Sequence, residues 1–509
     1  MSFLTRLLAV TTALVLTLAP ATARADWLQA ETEHFRVHGD MSEGDLRDYA
    51  RKVERFHAMM ERFMPPRRQD IVAPKLDVYV TDGRSQMRQI WPTIAESVGG
   101  FYSRGYEGIY AVADERDGGG DTTLFHEYAH HYMFQHQNEA YPGWFVEGFA
   151  EYFAPSDLRM GKIEYGLWRE GRLYSLAQRN NWVPMEDVLR SRLQVRSPET
   201  AAAYYAQAWL LTHYMLGSAE RNRQMSAYLG AVMRGADPIE ALTEHVGTTP
   251  DQLERDMRTY FSTGMTTYKL QEALPVAEVT IKRMPRSAGD VLFLNLRAAR
   301  EVPEEDRAGL LRQAQTAAAR HPGDRLAAFT LAKVQRAVGD RAAARATLET
   351  LVASHPRDSE ALWLLSTILI DQADDAEDAD RLALKRQANA HLAVAYDVDP
   401  LDFRIYRALA RNRRDAANYP TDSDMAILES AYALAPQLPA NGMDYARALM
   451  TRDRHAEAAV ILAPLASNPH GGSAEAQQLL AEARQKAGLT PAPVEAAPPA
   501  PESEAEPTG

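Results

Sequence analysis

Five consecutive residues, His126-Glu127-Tyr128-Ala129-His130, are of types and spacing that could do chemistry together. On an α-helix, residues four apart lie about 40° round and about 6 Å along from each other, so two imidazoles can meet at one metal ion. Glu127 then stands beside the metal without binding it, where its carboxylate can take a proton from metal-bound water. Such a set suits Zn2+, which needs a third protein ligand and a fourth position left for water. After the break at Pro142-Gly143, Trp144 to Phe153 reads as a second helix that offers Glu147 and Glu151. Glu151 lies one helical turn beyond Glu147 and suits an acceptor for the free N–H of a ligand histidine. His131 and His136 read as surface or packing residues.

The elements that must position these groups read as mixed α and β. His34 to His38 alternates like a strand, Glu43 to Phe63 is a long amphipathic helix stopped by Pro65-Pro66, and Lys75 to Val80 alternates again. Gly100 to Ser103 and Gly108 to Val112 predict a hairpin around Arg104 to Glu107. Gly118 to Gly120 and an Asp121/Thr122 cap precede the helix that carries His126. Downstream, Ala201 to Tyr214 is an apolar helix dense in tyrosine, and the arginines between Arg159 and Arg196 read as a solvated face.

The histidine pair followed by Trp144-Phe145-Val146-Glu147-Gly148-Phe149-Ala150-Glu151-Tyr152-Phe153 resembles the gluzincin zinc metallopeptidases, above all their peptidase MA-like group. The resemblance spans roughly Trp27 to Phe261, with its specific motifs in 126–153. It implies an α+β zincin-type metallopeptidase domain over 26–267, Zn2+ on His126, His130 and Glu147, and Glu127 as the proton acceptor. Tyr205-Ala206-Gln207-Ala208-Trp209 is similar to a segment of that group, which implies Tyr205 as the donor to a developing oxyanion. Tyr204 and His213 are the other candidates. A Gly-x-Met-Glu-Asn motif, which holds a substrate's amino group in aminopeptidases, has no match. The nearest piece, Val98-Gly99-Gly100-Phe101-Tyr102, lacks the acid, which favours endopeptidase over aminopeptidase activity.

Length and composition frame this reading. A chain of 509 residues exceeds one ordinary core, and about 100–200 residues per domain implies two or three. A net charge of −13 argues against a general nucleic-acid binder. Residues 1–25 have the form of a signal peptide: Arg6, an apolar run from Leu7 to Leu18, and Ala23-Arg24-Ala25 as the cleavage site. Its removal takes away two arginines and no acid, so the charge becomes −15 and the mature chain is expected in the periplasm or secreted. With no cysteine anywhere, disulfides and thiolate metal sites are excluded.

From 287 to 488 the chain is rich in Ala, Leu and Arg, and a phrase recurs: His321-Pro322-Gly323-Asp324 and, 34 residues on, His355-Pro356-Arg357-Asp358. Further echoes fall at Asp399-Pro400, Ala435-Pro436 and Asn468-Pro469, with small residues such as Ala332 and Ala344 where helices would meet. This resembles tetratricopeptide repeats and implies an all-α solenoid that binds a protein partner. The acidic run Asp371 to Asp380 reads as a loop or helix extension, since a calcium loop would want glycine at its sixth position. Residues 268–286 are expected as a linker and 489–509 as a disordered tail. Two functions follow as expectations. One is an exported zinc peptidase with the repeats recruiting substrate or partner. The other is a non-catalytic exported adaptor whose metal site is structural.

Overall fold

The computed structural model describes residues 27–67, 72–96, 98–116, 120–159, 162–191, 197–468 and 473–489. The expected signal peptide, and all but the first residue of the expected tail, lie outside the described residues. The first part is built on β1 (Leu28–Glu31), β2 (Phe35–Gly39), helix α1 (Glu43–Phe63), β3 (Leu76–Thr81), α2 (Arg84–Ile90), β4 (Gly100–Gly105) and β5 (Gly108–Asp114). Helix α1 starts where Ser42 accepts from the backbone N–H of Asp45, and it buries Leu46, Ala50, Val53 and Phe56 at helical spacing against the sheet. Helices α3 (Gly120–His136) and α4 (Gly143–Phe153) follow, then the hairpin β6 (Asp157–Arg159) and β7 (Lys162–Tyr165). Next come α5 (Glu170–Ala177), α6 (Met185–Leu189), α7 (Pro198–Leu216), α8 (Ala219–Met233), α9 (Pro238–His245), α10 (Pro250–Thr263), and strands β8 (Tyr268–Lys269) and β9 (Thr280–Arg283).

The main sheet has the order β4-β5-β3-β2-β1-β9, so β4 is an edge strand. The β5-β3 and β3-β2 pairs are parallel and the others antiparallel. The segment expected as a linker is tied into both sheets: β9 pairs with β1, and β8 with β7. These strands are two and four residues long, too short for alternation to mark them, and their partners lie far away in sequence. Asp121 and Thr122 sit inside α3 instead of capping it, and Asp121 reaches Lys52 at 2.6 Å. Gly120 is required at the helix start, because a Cβ there would meet the carbonyl oxygen of Asp114 at 2.0 Å.

The second part is an array of helix pairs: α11 (Ala288–Ala298) with α12 (Glu304–Arg320), α13 (Arg325–Ala337) with α14 (Arg341–Ser354), and α15 (Ser359–Asp374) with α16 (Asp378–Val398). They continue as α17 (Phe403–Arg413) with α18 (Asp422–Leu434), α19 (Pro439–Thr451) with α20 (His455–Ala466), and a last helix α21 (Ala474–Lys486). The recurrent phrase has a local cause. His321 and His355 end the second helix of a pair, while Asp324 and Asp358 N-cap the next, accepting from Ala327 N at 2.9 Å and Ala361 N at 3.1 Å. Asp402 repeats that cap before α17. The wider spacing before it comes from longer helices α15 and α16, whose ends carry the acidic run. Ala332 and Ala344 are fully buried where α13 meets α14. Among the described residues, no helix is long and apolar enough to cross a membrane.

Candidate metal centre

Three faces of α3 fix its rotation. Phe125 stacks on Phe56 at 4.3 Å, the Tyr128 hydroxyl meets His57 Nδ1 at 2.6 Å, and the Tyr132 hydroxyl donates to Met64 O at 2.8 Å, which anchors one face to α1 and the chain beyond it. That turns His126 and His130 toward α4. Glu127 and His131 face β4, where the charge of Glu127 acts on Tyr102 and the Tyr102 hydroxyl lies 2.8 Å from His131 Nδ1. Helix α4 is held against α7 by Gly148, where a Cβ would meet Thr212 Oγ1 at 2.2 Å and Ala208 O at 2.4 Å. A larger residue here would push α7, with its tyrosines, away from Glu147.

The donor atoms meet. His126 Nε2 lies 3.1 Å from His130 Nε2, and Glu147 Oε2 lies 3.6 Å from the first and 3.4 Å from the second. All three residues are buried. Bonds of about 2.0–2.1 Å to a tetrahedral Zn2+ put donor atoms roughly 3.3–3.4 Å apart, so the set fits zinc without rearrangement. Burial, with His130 adding to it, lowers the His126 pKa and keeps the imidazole neutral, as a ligand must be. His126 Nδ1 faces Glu151 Oε1 at 3.3 Å, outside hydrogen-bond alignment but close enough to favour a proton on Nδ1 and a lone pair on Nε2.

Glu151 is the site's second carboxylate, and it is already matched. Arg172 on α5 donates to both its oxygens, at 3.0 and 2.6 Å. Burial pushes the Glu151 carboxyl upward, but the Arg172 charge and its hydrogen bonds outweigh that and leave it below the usual carboxylate range. Arg172 also lies over the Tyr205 ring at 5.3 Å. The expectation of a solvated arginine face therefore fails at Arg172, whose side chain is only 13% exposed and is turned to the site. Only its burial by α7 distinguishes it from its neighbours, and the sequence carries no signal of that. Arg190 pairs with Asp237 at 2.5 Å and Glu186 at 3.0 Å.

Of the tyrosines, Tyr204 is buried and feels the charge of Glu147, while Tyr205 is half-buried beside Arg172. His213 has a structural role, with Nε2 3.1 Å from Gly166 O and Nδ1 2.8 Å from the Tyr260 hydroxyl. Among the described residues one other group brings three donors together, Glu33, His34 and Glu54. There the buried Glu54 is already engaged, by His34 Nδ1 at 2.5 Å and by the Thr32 hydroxyl at 2.7 Å, and Glu33 is exposed.

Residues 121–236 match a family described as a protein of unknown function, DUF1570. That stretch holds every residue of the centre, from His126 to Tyr205. No curated protein matches the chain. Among solved structures, a thermophilic TPR protein of Thermus thermophilus is similar at 24% identity, over 36% of this chain and 92% of its own, with a TM-score of 0.29. MamA is similar at 15% identity over 36% and 91%, with a TM-score of 0.25.

Proposed function

We propose that this chain is an exported zinc-dependent peptidase that cleaves within peptide chains, followed by a tetratricopeptide-type array that engages protein. The observation that carries the reading is the convergence of His126, His130 and Glu147 donor atoms at zinc-ligand spacing, with Glu127 on the adjoining face of the same helix. Zn2+ held there would lower the pKa of a bound water towards about 7 and polarise a substrate carbonyl. Glu127 would accept a proton from the attacking water and return it to the departing amine. Glu151, fixed by Arg172, keeps His126 in the tautomer that leaves Nε2 available. Tyr205 is the chain's candidate donor to the oxyanion. Edge strand β4, which packs on α3, offers an unpaired backbone along which an extended peptide can align.

The regular N-capping aspartates, Asp324 and Asp358 34 residues apart, support the tetratricopeptide reading, and the form of residues 1–25 supports export. The test uses the full mature chain with a peptide library. Zinc should bind in a one-to-one ratio, and cleavage should stop with chelator and with Glu127→Gln, the latter without loss of zinc. Turnover that survives both treatments would end the peptidase reading. Bound zinc with no cleavage of any peptide would favour the adaptor.

A further inference from the structure

The first helices of successive pairs in the array line one face, and that face is charged. Helix α13 presents Lys333 and Arg336, α15 presents Glu360 and Asp371, and α17 presents Arg404, Arg407 and Arg411. Several of these charges are matched within the array. Arg404 binds Asp402 at 2.8 Å and Glu360 at 3.4 Å, Arg325 binds Asp358 and Glu360 at 2.7 Å, and Arg411 reaches Asp371 and Asp374 at 2.5 Å. Arg336 and Lys333 also reach beyond the array: within it Arg336 has Asp371 at 3.9 Å and Lys333 donates to Asn295 at 3.1 Å, but their nearest carboxylate is Glu107 of the hairpin. Arg336 pairs with Glu107, and Lys333 Nζ lies 3.9 Å from Glu107 Oε2.

Glu107 belongs to the two-residue turn Tyr106-Glu107 that joins β4 to β5, more than two hundred residues away in sequence. The array touches that turn at several points while the Tyr106 side chain stays largely exposed. Arg404 donates to the Glu107 carbonyl at 3.2 Å, and the Arg407 guanidinium lies 4.3 Å from the centre of the Tyr106 ring. Arg104 donates to Gln437 O at 3.5 Å, and Ile109 packs on the apolar cluster of Phe403, Leu434 and Leu438. The same surface reaches the metal helix, where Gln437 Nε2 donates to Gln135 at 3.0 Å and approaches His131 Nδ1 at 3.2 Å.

We infer that this face of the array is an intramolecular receptor for the β4–β5 turn, reading an aromatic residue followed by an acid, and that it clamps edge strand β4 in place beside the metal helix. The physical reason is that the face carries positive charge, buried at Lys333 and partly buried at Arg336, whose nearest counterion is supplied by the hairpin. Without Glu107, Lys333 would keep only the neutral Asn295 and Arg336 only Asp371 at 3.9 Å, both beside Arg404, which favours release of the turn. The part of the array nearest the site thus acts on the chain's own strand. This inference rests on the peptidase reading only for its effect on turnover.

The test is hydrogen exchange of the full chain, with Glu107→Gln, Arg336→Gln and the double variant, alongside zinc content and peptide kinetics. Each single change should speed exchange across residues 100–112 by about tenfold or more, and the double variant should go little further than either, because both remove one interaction. Zinc content should stay unchanged, and KM should rise several-fold with kcat less affected, since β4 aligns substrate and does not react. Exchange unchanged in both single variants, or effects that simply multiply in the double variant, would overturn the clamp. Faster exchange with unchanged KM in a chain that cleaves peptides would overturn its role in aligning substrate. A chain that cleaves nothing still answers through exchange, so failure of the peptidase reading is told apart from failure of the clamp.

Discussion

Two of the places where the molecule buries charge are built for different ends. At the metal centre, two imidazoles and a carboxylate converge within 3.6 Å of one another, while the neighbouring carboxylate, Glu151, is already matched by Arg172. In the face of the array, cations and anions interleave from helix to helix, and the hairpin contributes Glu107 to the pattern. The first arrangement offers a cation three ligands. The second is a set of mutual partners that holds segments together. Removing a charge from the first should change chemistry with little change in fold, whereas removing one from the second should change position and stability with little change in chemistry.

The sharpest way to break that contrast is Glu127→Gln. Turnover should fall by about 10²–10⁴-fold while zinc content and melting temperature stay as they are, measured by kinetics, metal analysis and calorimetry. A large loss of stability would place Glu127 with the structural charges. Next, Arg172→Gln should weaken zinc binding by about 10–100-fold, read by titration against a competing chelator, because Glu151 would lose the partner that fixes it against His126. Unchanged affinity would mean that Glu151 and Arg172 serve packing alone. Gly148→Ala should cost about 1–3 kcal/mol by driving a methyl into α7, and denaturant unfolding measures it.

The smallest effect is in the array and depends on pH. Burial raises the Glu360 carboxyl, but Arg325 and Arg404 outweigh it and hold it at about 2. A carboxyl depressed in the fold adds stability above its ordinary pKa of about 4, and that contribution is lost as pH falls towards 2. Melting temperature followed from pH 6 to pH 2 should therefore decline less steeply below pH 4 in Glu360→Gln. The difference should be under about 1 kcal/mol, because the side chain is 39% exposed and solvent screens it. An equal slope in both proteins would show that Glu360 is not held by its arginines.

Much of the local structure was legible from residues alone. Helix α1 follows from apolar spacing and a serine cap, β2 and β3 from alternation, and the hairpin from two alternating pieces around a tight turn. Strands β8 and β9 were not legible, because a strand of two to four residues is defined by its partner and not by its own pattern. Arg172 was missed for a related reason: an arginine's burial depends on which helices close over it, and nothing in the residues of its own helix records that.

The sequence by itself determined the pair His126 and His130 at one helical turn, the carboxylates Glu147 and Glu151 on the next helix, and the 34-residue repeat set by capping aspartates. Each of these is a matter of spacing along one or two helices, which helical geometry fixes without reference to the rest of the chain. Tertiary packing alone makes three of the four site donors converge while the fourth, the Glu151 carboxylate, is taken by Arg172, and makes the array grip the turn Tyr106-Glu107. These outcomes depend on packing and on matching buried charge between segments up to hundreds of residues apart, and no periodicity in the sequence records such pairings.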